Sequence, residues 1–91
     1  MKRVHIIVTG LVQGVGFRHY TRKEAEVLKI TGFVRNLSDG SVEIEAQGTE
    51  DHIQSFINWA KKGPRNARVD SFHENDMRIV ERETDFNIMS S

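Results

Sequence analysis

Three glycines, an arginine and an asparagine are the residues whose types and spacing promise chemistry in this sequence. The run Gly10-Leu11-Val12-Gln13-Gly14-Val15-Gly16-Phe17-Arg18 passes from an alternating pattern into a helical one. A glycine-rich turn of this kind aims several unpaired backbone N–H groups in one direction, and the helix it opens adds partial positive charge at the same place. Arg18, at the start of that helix, supplies a planar fork of donors suited to phosphate. Together these groups can bind an anion without a metal. The same glycines also fit a tight strand-to-helix turn with no ligand, and the turn alone does not choose between the two. Asn36 ends the next strand pattern and is the second candidate. Beside a turn, Asn commonly bonds its own backbone, so taken alone it reads as a turn residue.

Other chemistries find little support. No Gly-Lys-Ser/Thr follows the turn and no Gly-x-Gly-x-x-Gly occurs, so a P-loop and a dinucleotide fingerprint both fail. His5, His19, His52 and His73 have no i, i+4 pairing or other ligand spacing. They read as surface or rim residues, and neither a metal nor a cofactor is expected. The absence of cysteine excludes a disulfide framework, a thiol nucleophile and a thiolate metal site. No Ser-His-Asp set follows from spacing. Glu43 and Glu45 alternate with apolar residues and read as a solvated face, and Lys61, Lys62, Arg65 and Arg68 as a solvated patch at a helix end.

Thirteen Lys and Arg balance thirteen Asp and Glu, for a formal net charge of zero. A general nucleic-acid binder is usually basic over one face, so the balance favours a small ligand and no nucleic-acid partner. No apolar run approaches the roughly 20 residues of a membrane helix. The start Met1-Lys2-Arg3-Val4-His5 leads directly into an alternating pattern rather than a signal peptide. A cytoplasmic protein with no membrane partner is expected. The 91 residues predict a single domain over 1–91 with one two-layer core.

The elements that must position the candidates follow from periodicity. Val4, Ile6 and Val8 share one face of a strand over residues 4–9, which the glycine-rich turn interrupts. Phe17, Thr21, Ala25 and Leu28 form the buried stripe of a helix from 17 to about 28. Residues 32–37 read as a strand, and Ser38-Asp39-Gly40 carries an Asp-Gly turn into a second strand over 41–47. There Val42, Ile44 and Ala46 point inward while Glu43, Glu45 and Gln47 point outward. Thr49 fits an N-cap, with Glu50 and Asp51 behind it. Ile53, Phe56, Ile57 and Ala60 then make a second stripe that ends at Lys61-Lys62-Gly63-Pro64. A weaker strand over 67–74 has Val69 and Phe72 out of period, which calls for a bulge between them. Residues 86–88 read as a short edge strand.

The order β-α-β-β-α-β, with an added last strand, predicts an α+β class fold: a ferredoxin-like βαββαβ sandwich, with an antiparallel sheet covered on one face by two helices. That fold hosts many activities and does not by itself name one.

The glycine-rich run through Arg18 resembles the first signature of the acylphosphatase family. Gly32-Phe33-Val34-Arg35-Asn36, followed by Gly40, Val42 and Gly48, is similar to the second. The similarity in layout extends through residues 67–70. The stretch 75–91 is less family-like, with an unusually charged segment from Asp76 to Thr84. The resemblance implies metal-independent hydrolysis of an acyl phosphate to carboxylate and inorganic phosphate. It implies that Arg18 binds the phosphoryl group and that the amides of Gln13, Gly14, Val15, Gly16, Phe17 and Arg18 cradle it. It also implies that Asn36 positions the attacking water. Inorganic phosphate is then product and inhibitor, and a monomer is expected.

Such a reaction suits a small set of residues. The leaving carboxylate is a stable anion near neutral pH, so it needs no general acid. The protein must orient water and aim donors at the equatorial phosphoryl oxygens. Two other readings stay open. One is a ferredoxin-like binding module for phosphate or RNA. Against RNA, Phe33 is the only aromatic on the motif-bearing strands, and Glu43 and Glu45 would repel a phosphodiester. The other is a carbamoyl-phosphate-handling domain of the kind fused into larger maturation proteins.

Overall fold

The computed structural model describes residues 1–90; Ser91, the last residue of the expected 1–91 span, lies outside them. The chain runs β1 (Lys2–Leu11), α1 (Phe17–Val27), β2 (Thr31–Asn36), β3 (Val42–Gly48), α2 (Glu50–Lys62), β4 (Arg68–Met77) and β5 (Phe86–Met89). The sheet order is β4-β1-β3-β2-β5. Because β3 separates β1 from β2, each helix closes one half of a split βαβ pair, and the fold is ferredoxin-like α+β. Among the described residues, no helix is long and apolar enough to cross a membrane.

Alternation fixes which face the helices cover. Val4, Ile6 and Val8 of β1 and Val42, Ile44 and Ala46 of β3 are all fully buried on that face. Phe17, Thr21 and Ala25 of α1 and Ile53, Phe56, Ile57 and Ala60 of α2 meet them, as the helical stripes predict. Each buried Ile or Phe contributes roughly 1.5–3 kcal/mol, so these residues carry most of the fold. Thr49 caps α2 by accepting from His52 N, and Gly63 ends it.

The structure departs from the expected sheet in three ways. Four strands pair antiparallel, but β5 pairs parallel with β2, so the sheet is mixed. β4 and β5 occupy opposite edges, and residues 78–85 must therefore cross the sheet between them. Second, β1 does not stop at Gly10 but runs to Leu11. Gly10 faces Val69 while Thr9 faces Ser71, which leaves Asp70 as the expected bulge. Gly10 has φ +124°, and a Cβ there would lie 2.2 Å from Arg68 O, so only glycine lets the strand continue past the bulge.

Third, the outward row of β3 is not a solvated face. The 78–85 segment lies over its Glu45–Gln47 end, and Gln47 is buried, bonding Val80 through both its amide oxygen and its Nε2. Arg3, with its side chain 2% exposed, donates to Glu45 at 2.9 Å and Glu83 at 2.7 Å. Burial alone would disfavour its charge, but the two carboxylates hold its pKa above the ordinary value. Glu43 accepts from His5 Nε2 at 2.7 Å and Arg35 Nε at 2.5 Å. A buried or half-buried carboxylate needs such partners, and each glutamate of the row has found them.

Candidate active site

The two helix N-termini are built differently. That of α2 has a side-chain cap and two acidic residues in its first turn. That of α1 has neither: its cap is Gly16, with φ +79° and no side chain to accept from the first amides. The first amide of that turn to find a partner is Tyr20 N, on Gly16 O at 3.0 Å. The N–H groups ahead of it point out of the helix toward whatever lies before it, carrying the positive end of the dipole. Any residue but glycine at Gly16 would be strained in this left-handed conformation, and its Cβ would press on Tyr20 at 3.3 Å.

Gln13 holds the turn against the β2–β3 hairpin. Its Nε2 donates to Leu37 O at 2.8 Å and to Ser41 O at 2.9 Å. The hairpin is otherwise closed by Asp39, whose Oδ1 accepts from Ser41 N and Oγ, and by Leu37 N donating to Ser41 O. Asn36 takes no part in these bonds. Its Oδ1 is buried and has no hydrogen-bond partner among the described residues. The turn reading of Asn36 requires a bond to neighbouring backbone, and that bond is absent. An unpaired buried acceptor costs about 1–3 kcal/mol, which a water or ligand donor would recover.

One cavity of about 250 Å³ is lined by Gly14, Gly16, Phe17, Arg18 and Asn36, together with Val12, His19 and Ile88. The strand end and the glycine-rich turn, far apart in sequence, thus meet. Two residues of the expected cradle stand outside the lining: Gln13 braces the hairpin, and Val15 packs on the core. His19 and Ile88 were not legible as site residues. His19 carried no spacing signal, and Ile88 reaches the cavity only because β5 pairs with β2.

The lining holds Arg18, one imidazole and one carboxamide but no carboxylate, a donor set that suits an anion rather than a cation. No group of three or more His, Asp or Glu side chains among the described residues is placed to hold a metal ion. A larger groove of about 400 Å³ runs along the helices past Tyr20, Val27, Trp59 and Pro64. It is more spacious but mostly apolar, and it contains neither the glycine-rich turn nor Asn36. The Glu43 cluster lies on the other face of the sheet. Burial would raise the Glu43 carboxyl, but the His5 and Arg35 hydrogen bonds and the Arg35 charge outweigh it and hold the pKa below its ordinary value.

The acylphosphatase family model matches residues 4–88. An acylphosphatase of Bifidobacterium longum is 49% identical over 79 residues, covering 87% of this chain and 81% of that protein. One of Geobacillus thermodenitrificans is 45% identical over 89 residues, covering 98% and 95%. The crystal structure of acylphosphatase from Bacillus subtilis superposes with a TM-score of 0.93 at 40% identity, covering 98% of this chain and 99% of that one.

Proposed function

The chain belongs to the acylphosphatase family and is a hydrolase of acyl phosphates, and from that premise we propose that Arg18 binds the phosphoryl group and Asn36 orients the attacking water, with no metal. The observation that carries this reading is the buried, unpartnered Asn36 Oδ1 beside a cavity that also contains Arg18 and the uncapped start of α1. A water donating to that oxygen has its lone pair free to face phosphorus. The Arg18 fork and the amides at the head of α1 carry the charge on the equatorial oxygens. Residues Gln13 to Arg18 form the cradle, with Gln13 acting through its hold on the hairpin.

The balance of the reaction asks nothing more. Water oxygen bonds to phosphorus, the bridging P–O bond breaks, and its electron pair leaves on a carboxylate that is stable near neutral pH. Asn is too weak a base to keep the water's proton, which passes to a phosphoryl oxygen. The products are a carboxylate and inorganic phosphate, and phosphate in turn inhibits by occupying the cradle. One chain supplies every lining residue, so a monomer suffices.

Release of phosphate from acetyl or benzoyl phosphate tests the proposal, with a phosphomonoester as control and EDTA in parallel. Turnover of the acyl phosphates alone, unchanged by EDTA, is expected. Loss on chelation that a divalent ion restores would overturn the metal-free mechanism.

A further inference from the structure

The cavity has one apolar wall that the reaction leaves without a role. Val12 and Phe17 line it at 1% and 2% exposure, their surfaces committed to the core, whereas Ile88 lines it at 38%. Register fixes where Ile88 stands. β5 runs parallel to β2, with Phe86 opposite Gly32 and Ile88 opposite Val34. Side chains alternate along a strand, so Phe86, Ile88 and Val34 face the helices, and Asn36 lies on that same side two residues past Val34. Ile88 therefore lies diagonally across from Asn36 on the adjoining strand, and both line the cavity. It is also held firmly. Phe86 is buried with its ring 6.2 Å from that of Phe56, and the segment leading into β5 is pinned by Arg3 to Glu83 and Gln47 to Val80.

Displacement at phosphorus sets the attacking and leaving oxygens roughly in line, on opposite sides of the phosphoryl group. With the water at Asn36, a side chain on the adjoining strand borders the water, and the acyl group departs on the far side. We infer that Ile88 limits which nucleophile can stand beside Asn36, admitting water and crowding out anything larger; this rests on the roles proposed for Arg18 and Asn36. A small alcohol would do the same chemistry if it fitted. Its oxygen bonds to phosphorus, the bridging P–O bond breaks with its electrons on the carboxylate, and the hydroxyl proton passes to a phosphoryl oxygen. Methanol would give methyl phosphate.

The test is the ratio of methyl phosphate to inorganic phosphate, read by phosphorus NMR at one fixed methanol concentration, for wild type, Ile88→Val and Ile88→Ala. The ratio is taken per turnover, so a loss of folded protein does not move it, and Val keeps the comparison if Ala loosens β5. The expected result is a several-fold rise in Ala with Val between. The preference between acetyl and benzoyl phosphate and the phosphate inhibition constant should stay at wild-type values. Equal ratios in all three proteins would overturn the inference. So would a changed acetyl-to-benzoyl preference, which would put Ile88 on the acyl side. Asn36→Ala, run alongside, separates the two levels: if it turns over like wild type, the proposed roles fail rather than Ile88.

Discussion

Arg18 and Asn36 line one cavity, and the Asn36 Oδ1 is buried there with no hydrogen-bond partner among the described residues. In the mechanism proposed above, the guanidinium fixes the anion and the open carboxamide oxygen fixes the water.

Arg18→Ala should lower kcat by on the order of 10²-fold or more, because a charge-assisted donor to the transferring group is lost. Lys should rescue poorly, since it keeps the charge without the fork. Phosphate affinity should fall as well, while circular dichroism stays native. Near wild-type kinetics in Arg18→Ala would make Arg18 structural.

Inorganic phosphate and sulfate should inhibit competitively and raise Tm by mass action. The α1 start has no side-chain cap and no acidic residue in its first turn, so its amides are available to an anion. Noncompetitive inhibition, or no Tm shift at tens of millimolar phosphate, would contradict an anion cradle at the head of α1.

How far the sequence reached is clearest at these same residues. The periods of two and of 3.6 residues gave β1, β3 and both helices, because Val4, Ile6, Val8 and Ile53, Phe56, Ile57 are in the core for the reason their spacing implies. β2 reads as a strand from its β-rich composition, and β4 more weakly, its apolar residues being out of period. That Arg18 and Asn36 line one cavity was foreshadowed by the motifs; local physics singles out Arg18 at the helix start but reads Asn36 as a turn residue. An edge strand over 86–88 was legible, but not the edge it takes. Alternation along β5 shows that Phe86 and Ile88 share a face, but nothing in it says which strand β5 joins. For the same reason Glu43, Glu45 and Gln47 read as solvated. Glu45 and Gln47 are covered by the charged segment 78–85, whose path across the sheet depends on where β5 docks. Glu43 is held by His5 and Arg35 of the neighbouring strands.

Glu43, held by His5 and Arg35, ties this face of the sheet to pH. Folding lowers its pKa below the ordinary 4.5, so its contribution to stability is present above that value and is lost as pH falls through the lowered pKa. Glu43→Gln should melt below wild type near neutral pH, and the gap in Tm should narrow as pH is taken below 4.5 and through the lowered pKa. A gap that stays constant over that range would show that the Glu43 charge does not stabilise the fold.

Steady-state kinetics of Asn36→Ala on an acyl phosphate, with the phosphate inhibition constant and Tm measured on the same preparation, tests the central claim most directly. If Asn36 orients the water, kcat should fall by on the order of 10²-fold or more while the phosphate inhibition constant stays close to wild type. Tm should hold or rise slightly, since no protein hydrogen bond is broken and an unpaired buried acceptor is removed. An Asn36→Ala protein that melts earlier but turns over normally would contradict the account.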